Sequence, residues 1–179
     1  KLDTYAKQAR IIHFDIDPSE INKNVKVDVA AVGNRKQTLQ RVTELVEPAR
    51  HQAWVDGFKP YEDKEDYKVI QPAIHPTEGP LLMGEVVRAV SEATAHKAIL
   101  VTDVGQNQLI GCRNCQFSDA RSVLTSGGCG TMGFGLPAAI GATFGAPERT
   151  VCMFCGDGGL QMTIQELGTI MEQQSPVKI

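Results

Sequence analysis

Short apolar runs alternate with glycine-bearing loops and helical stretches along most of this chain, and that rhythm limits what it can fold into. Arg10–Ile16 (RIIHFDI) and Val25–Val32 (VKVDVAAV) read as strands; Pro18 stops the first and Gly33-Asn34 closes the second. Lys36–Val46 then carries Leu39, Val42, Leu45 and Val46 at helical spacing. After Pro80 the rhythm resumes. Leu82, Val86, Val87 and Val90 share one helix face. Ala98–Thr102, Ser122–Thr125 and Thr150–Cys155 read as strands, and Phe134–Phe144 and Leu160–Gln173 as helices. The alternation predicts an α/β fold, a doubly wound parallel sheet with helices on both faces.

Between the two rhythmic stretches, Pro48, Pro60, Pro72, Pro76 and Pro80 punctuate the chain, and Tyr61–Lys68 is charged. We read 48–80 as a linker with a helical piece around His51–Phe58, where Trp54 and Phe58 are four residues apart and so share a face. Residues 1–47 then form the tail of one α/β domain, and 81–179 most of a second.

A formal net charge of −3 and the lack of any basic run argue against nucleic acid as a partner. Charged residues or glycines interrupt every apolar stretch before it can span a bilayer, and the start has no secretory pattern. The chain opens at Lys1 and closes within an apparent strand, Val177-Lys178-Ile179, so we read it as part of a longer protein. Its five cysteines include two CxxC pairs, Cys112/Cys115 and Cys152/Cys155. Residues three apart on a strand point to opposite faces, which argues against one zinc ion held by Cys152 and Cys155. The expected state is free, mostly buried thiols in a reducing compartment, the cytoplasm.

Chemistry is expected at three strand ends: Asp103–Asn107, Ser126–Met132 and Gly156–Gly159. In open parallel sheets, ligands bind beyond the carboxyl ends of the strands. Gly105, Gly127, Gly128 and Gly130 let a ligand approach the main chain, and helix N-termini just beyond favour anions. The third segment holds a lone carboxylate, Asp157. A carboxylate beside a phosphate repels it unless a divalent cation lies between, and Mg²⁺ is the usual choice. The residues thus suggest a Mg²⁺-bridged diphosphate. No GxxxxGK[ST] is present, and Gly128-x-Gly130-x-x-Gly133 has dinucleotide spacing without the acid expected on a following strand end. A tight turn with Asp157 capping the next helix is the plain alternative for that loop alone.

SGGCGTMGFGLPAAIGA followed by CGDGGLQMTIQELGTI resembles the diphosphate-binding domain of thiamin-diphosphate enzymes, in detail that of acetolactate synthase catalytic subunits. VTDVGQNQ resembles the loop that opens that family's cofactor site, and HFDIDPSEINKNVKVDVAAVG the end of its middle domain. The resemblance implies that Asp157 binds Mg²⁺. It implies that Gly156, Gly158 and Gly159 line the diphosphate, with Gly105 and Gln106 meeting it from the other loop. Met132 would wedge beneath the thiazolium and keep the cofactor bent. Val104, Asn107 and Gly130 complete the implied contacts. Asn107 stands where the family often has His, and a carboxamide can still donate a hydrogen bond.

The resemblance also implies an activity: decarboxylation of pyruvate and condensation with a second 2-keto acid, pyruvate or 2-ketobutyrate, toward the branched-chain amino acids. It implies a homo-oligomer with active sites across a dimer interface, and a regulatory small subunit. Many such enzymes carry FAD without using it for redox; Asp15, Ile16 and Asn34 match the end of that site. The activating glutamate and a second metal-binding carboxamide are expected outside these 179 residues, which alone should not turn over substrate. Glyoxylate carboligase, pyruvate oxidase or decarboxylase, and a non-catalytic α/β module are the alternatives.

Overall fold

The computed structural model describes residues 2–75 and 78–179. The chain forms two compact units, Lys1–Ala53 and Trp54–Ile179.

In the first unit, β1 (Ile12–Asp15) pairs in parallel with β2 (Val29–Val32), placing Asp15 opposite Val32. Of the run expected as a strand from Val25, only the last four residues pair. Asp28 explains the late start: its carboxylate accepts the Ile11 N–H at 2.7 Å, and its own N–H donates to the Ile11 carbonyl, which sets the register at the strand entrance. Helix α1 (Arg35–Leu45) follows, capped by Asn34, whose side-chain oxygen accepts from Lys36 and Gln37 N–H. Two strands and one helix cannot enclose a core, and Ile12, Val32, Leu39 and Leu45 are exposed.

In the second unit, the stretch expected as a linker is largely helical: α2 (Gln52–Asp56, beginning just before the unit boundary), α3 (Lys59–Glu65), a π-helical turn over Asp66–Ile70, and α4 (Gln71–Ile74). Its prolines do not prevent this. Pro60 and Pro72 fall in the first turns of α3 and α4, where a missing N–H costs little. Pro76 lies outside the described residues. Trp54 and Phe58 meet edge to face, ring centroids 4.7 Å apart, as their spacing predicts. The segment is docked onto α5 (Met83–Ala93), where a Cβ on Gly84 would stand 2.8 Å from the Ala73 carbonyl oxygen.

Three parallel strands follow, β3 (Ile99–Thr102), β4 (Val123–Thr125) and β5 (Val151–Phe154), in the order β4-β3-β5. Lys178 adds a parallel bridge to Cys152 beyond β5. Strand alternation divides the side chains between two helical layers. Ile99, Val101, Val151 and Met153 join Leu136, Ala139 and Ile140 of α7 (Gly135–Gly145) in the buried core. On the other face, Leu100 and Thr102 meet α6 (Gln106–Asn114) at Gly111, where a Cβ would stand 3.2 Å from Thr102 Cγ2. The connection after β3 returns to β4 on one side, and the chain after β5 runs on to Lys178 on the other. The carboxyl ends of β3 and β5 therefore flank a switch point, where doubly wound sheets bind ligands.

The helix expected over Leu160–Gln173 begins earlier and breaks in the middle. It runs as α8 (Asp157–Met162), a 3₁₀ turn over Ile164–Glu166, and α9 (Leu167–Gln173). The break falls at Thr163, whose hydroxyl donates to the Gly133 carbonyl at 3.2 Å and ties the chain to the facing loop.

The cysteines differ from expectation in burial. All five are free, but only Cys152 is buried; Cys115 and Cys155 are half-buried, and Cys112 and Cys129 are exposed. Cys112 lies in the last turn of α6 and Cys129 on the turn that follows Gly128.

Candidate cofactor site at the carboxyl edge of the sheet

The three expected segments lie at the ends of β3, β4 and β5, which are neighbours in the sheet. They are less loop-like than the sequence suggests. Gln106 and Asn107 open α6, and Asp157, Gly158 and Gly159 form the first turn of α8. Gly105 precedes α6 with φ +127°, a conformation closed to most side chains, so the β3 end needs glycine there.

The residue that joins the segments is Asp103, the first of the Asp103–Asn107 segment and one to which the sequence assigns no role of its own. It follows β3 directly and is fully buried. Its Oδ1 accepts Val104 N–H at 2.8 Å and Gly133 N–H at 3.2 Å, and its Oδ2 accepts Gly135 N–H at 2.8 Å. Part of the main-chain N–H supply expected for a bound anion thus serves an internal carboxylate. Gly159 closes the third side: a Cβ there would stand 2.5 Å from Asp103 Oδ1. An acid directly after an all-buried strand and before Val-Gly was the available signal.

Some of the residues assigned by resemblance meet near this point, Met132 with Gly158 and Asn107 with Gly105 and Gly156. The Met132 methyl lies 3.3 Å from where a Gly158 Cβ would stand, so the β4 and β5 segments touch. Met132 is itself exposed, as a surface for a ligand requires. Asn107 is buried between the β3 and β5 ends; its Nδ2 lies 3.5 Å and 3.9 Å from the Cβ positions of Gly105 and Gly156. That Nδ2 donates to the Val104 carbonyl at a long 3.3 Å, and its Oδ1 is buried without a partner. Val104 is half-buried, and Gly105, Gln106, Gly130, Gly156 and Asp157 are exposed. Gly130 has no atom within 4 Å of its Cβ position, so its backbone faces open space. Burial raises the Cys155 thiol above its ordinary range, and the nearby Asp103 carboxylate adds to the rise.

These features fit a diphosphate carried by a cation. The exposed Asp157 presents a carboxylate, the glycines leave the main chain open, and Asn107 holds unspent hydrogen-bonding capacity. Among the described residues no three His, Cys, Asp or Glu side chains are grouped to hold a metal by themselves. A Mg²⁺ at Asp157 would draw its other ligands from phosphate, water and main chain, as this ion commonly does.

The chain's sequence relationships agree with this geometry. Residues 103–179 match the family described as "Thiamine pyrophosphate enzyme, C-terminal TPP binding domain", and residues 1–42 match "Thiamine pyrophosphate enzyme, central domain". The chain belongs to the thiamine pyrophosphate enzymes. Within that family it is 42% identical over 184 residues to an acetolactate synthase large subunit of Parasynechococcus marenigrum, covering 100% of this chain and 28% of the relative. It is 37% identical over 180 residues to the chloroplastic acetolactate synthase 1 of Nicotiana tabacum, covering 100% of this chain and 27% of the relative. It is 35% identical over 180 residues to the acetolactate synthase isozyme 3 large subunit of Escherichia coli, covering 99% and 31%. The chain therefore spans less than a third of the length of these relatives. The family matched by residues 103–179 is described by its binding of thiamine pyrophosphate. No helix among the described residues is long and apolar enough to cross a membrane.

The residues matched to an FAD site also come together, within the first unit. Asp15, Ile16 and Asn34 line one open cleft of about 730 Å³ with Phe14, Arg35, Lys36 and Leu39. Two of them are already engaged. Asp15 accepts the Asp17 N–H at 2.9 Å and lies 3.6 Å from His13 Nε2, and Asn34 spends its side-chain oxygen capping α1.

Proposed function

We propose that these residues belong to the catalytic large subunit of an acetolactate synthase, which decarboxylates pyruvate and joins the two-carbon unit to a second 2-keto acid, pyruvate or 2-ketobutyrate. The observation that carries this reading is that one turn, Gly156–Gly159, meets Asn107 at Gly156, Met132 at Gly158 and the buried Asp103 carboxylate at Gly159. The whole-chain identity to acetolactate synthase large subunits supports the choice among thiamine pyrophosphate enzymes.

In this reading Asp157 holds Mg²⁺. Gly105, Gln106, Gly156, Gly158 and Gly159 receive the diphosphate with their main chain, and Val104, Asn107 and Gly130 line its surroundings. Met132 offers an apolar support beside Gly158 and keeps water from that face. When bound, thiamin diphosphate supplies the electron sink that lets a 2-keto acid lose carbon dioxide. No acid or base for that chemistry is assigned to this chain, and the activating glutamate would come from elsewhere in the intact protein. The domain reading is 1–47 as the end of the middle domain, 48–80 as a helical connection and 81–179 as the diphosphate-binding domain. The exposed apolar residues of β1, β2 and α1 support the first part of it.

The cleft at Asp15, Ile16 and Asn34 supports FAD as a further cofactor, with Arg35 and Lys36 available to its phosphates. We assign the protein a homo-oligomeric state, a regulatory small subunit, a role in valine, leucine and isoleucine synthesis and a cytoplasmic location. Five unpaired thiols suit a reducing compartment. The test is product identification with the intact protein, pyruvate, Mg²⁺ and thiamin diphosphate. Acetolactate that disappears when either cofactor is omitted is the expected result. Acetaldehyde or acetyl phosphate would make it a sister enzyme, and no product with no cofactor bound would leave a non-catalytic α/β module.

A further inference from the structure

We infer that Asp103 is a positioning residue of the cofactor site, an internal anion that sets the spacing of the three strand-end segments. The inference rests on the proposed thiamin diphosphate site and deepens it. A fully buried carboxylate is costly unless its charge is answered. Among the described residues no lysine or arginine pairs with Asp103. Main-chain N–H groups answer it instead, from Val104 on its own segment and from Gly133 and Gly135 on the β4 segment. Such charge-assisted bonds are the strong ones.

Each contact passes to a residue of the site. The Gly133 N–H belongs to the residue after Met132, so the bond at 3.2 Å fixes the backbone that carries the Met132 side chain. Gly133 has φ +84°, and its Cβ position is 3.0 Å from Met162 Cβ, so this backbone has little room to shift. On the other side Gly159 rests against the Asp103 carboxylate, which fixes how far the first turn of α8, with Asp157 and Gly158, can approach. Asp103, Gly133, Met132, Gly158 and Gly159 thus form a closed ring of contacts. Asn is nearly the same size but cannot replace the carboxylate. One of its termini is an NH₂ donor, so whichever way it is turned at least one of the N–H groups of Val104, Gly133 and Gly135 loses its acceptor.

The test compares the intact protein with its Asp103→Asn variant by three readouts: amide hydrogen exchange without cofactor, thiamin diphosphate affinity in saturating Mg²⁺, and KM for pyruvate. We expect the peptide spanning Gly133–Gly135 to exchange at least tenfold faster. Affinity for thiamin diphosphate should fall at least tenfold while KM for pyruvate stays within twofold. A merely structural role would lower the unfolding midpoint and leave the affinity of the folded protein unchanged. Unchanged exchange, or affinity within twofold of the original, overturns the inference. Should Asp103→Asn not fold, Gly159→Ala presses on the same carboxylate and must weaken thiamin diphosphate binding; normal affinity there overturns the inference too. Wild-type protein that shows slow exchange at Gly133–Gly135 but no thiamin diphosphate binding would instead sink the cofactor reading.

Discussion

The Met132 methyl stands 3.3 Å from the Cβ position of Gly158, whereas the Asp103 carboxylate stands 2.5 Å from that of Gly159. Two adjacent glycines thus face different neighbours, the free end of a flexible side chain and a fully buried carboxylate. Gly158→Ala should fold, with Met132 moving a few tenths of an ångström. Gly159→Ala should lose about 2–3 kcal/mol, in the range of overpacked cores. Thermal unfolding of the two variants checks the order, and equal losses would contradict it.

Asn107 carries one long hydrogen bond and one buried oxygen without a partner. Removing both nearly cancels, so Asn107→Ala should change unfolding free energy by less than about 1 kcal/mol. Thiamin diphosphate affinity should nonetheless fall several-fold, because the amide is the polar group between Gly105 and Gly156. Denaturant unfolding and a cofactor titration on one preparation separate the two effects.

Much of this arrangement was legible beforehand because strands buried on both faces leave continuous apolar runs, and Ala98–Thr102 and Thr150–Cys155 are such runs. The glycine-bearing strand ends were legible for a similar local reason. Asp103 was not legible as the centre of the site, since two of its three donors, Gly133 and Gly135, and also Gly159 come from distant parts of the chain. The helical piece expected around His51–Phe58 is present as α2, whereas the helices between Lys59 and Ile74 were obscured by prolines that in fact fall in first turns. The Thr163 break depends on a hydroxyl reaching across to the Gly133 carbonyl, a contact no local pattern encodes.

Thiol reactivity should follow the packing. Burial pushes the Cys152 thiol up, and Cys112, Cys115 and Cys155 are raised by burial as well. Cys129 is exposed on the loop after Gly128. With an alkylating reagent near pH 8, Cys129 should be modified first and Cys152 last, as read by peptide mass spectrometry. The linkage has a definite sign. Each raised thiol keeps its proton to higher pH in the folded state than in the unfolded chain, so its contribution is fully present below about pH 9, the ordinary thiol value. It is lost as pH rises through the folded value. Stability should decline on the alkaline side of pH 9, and less steeply in Cys152→Ala.

Gly141 and Gly133 offer a contrast in backbone demands. Gly141 lies inside α7, exposed, with nothing within 4 Å of its Cβ position. Gly141→Ala should stabilise by roughly 0.5–1 kcal/mol through helix propensity. Gly133→Ala meets both a left-handed φ and the Met162 side chain, and should destabilise by about 2 kcal/mol or more. Chemical denaturation of both variants tests the signs.

Direct titration of thiamin diphosphate into the intact protein, with and without Mg²⁺ and beside the Asp157→Ala variant, tests the central claim most closely. Asp157 is exposed, so its replacement should leave the fold intact. Saturable, Mg²⁺-dependent binding that Asp157→Ala abolishes, with the unfolding midpoint unmoved, is the expected result. Binding that is indifferent to Mg²⁺ and to Asp157, or no binding by the wild-type protein, would contradict it.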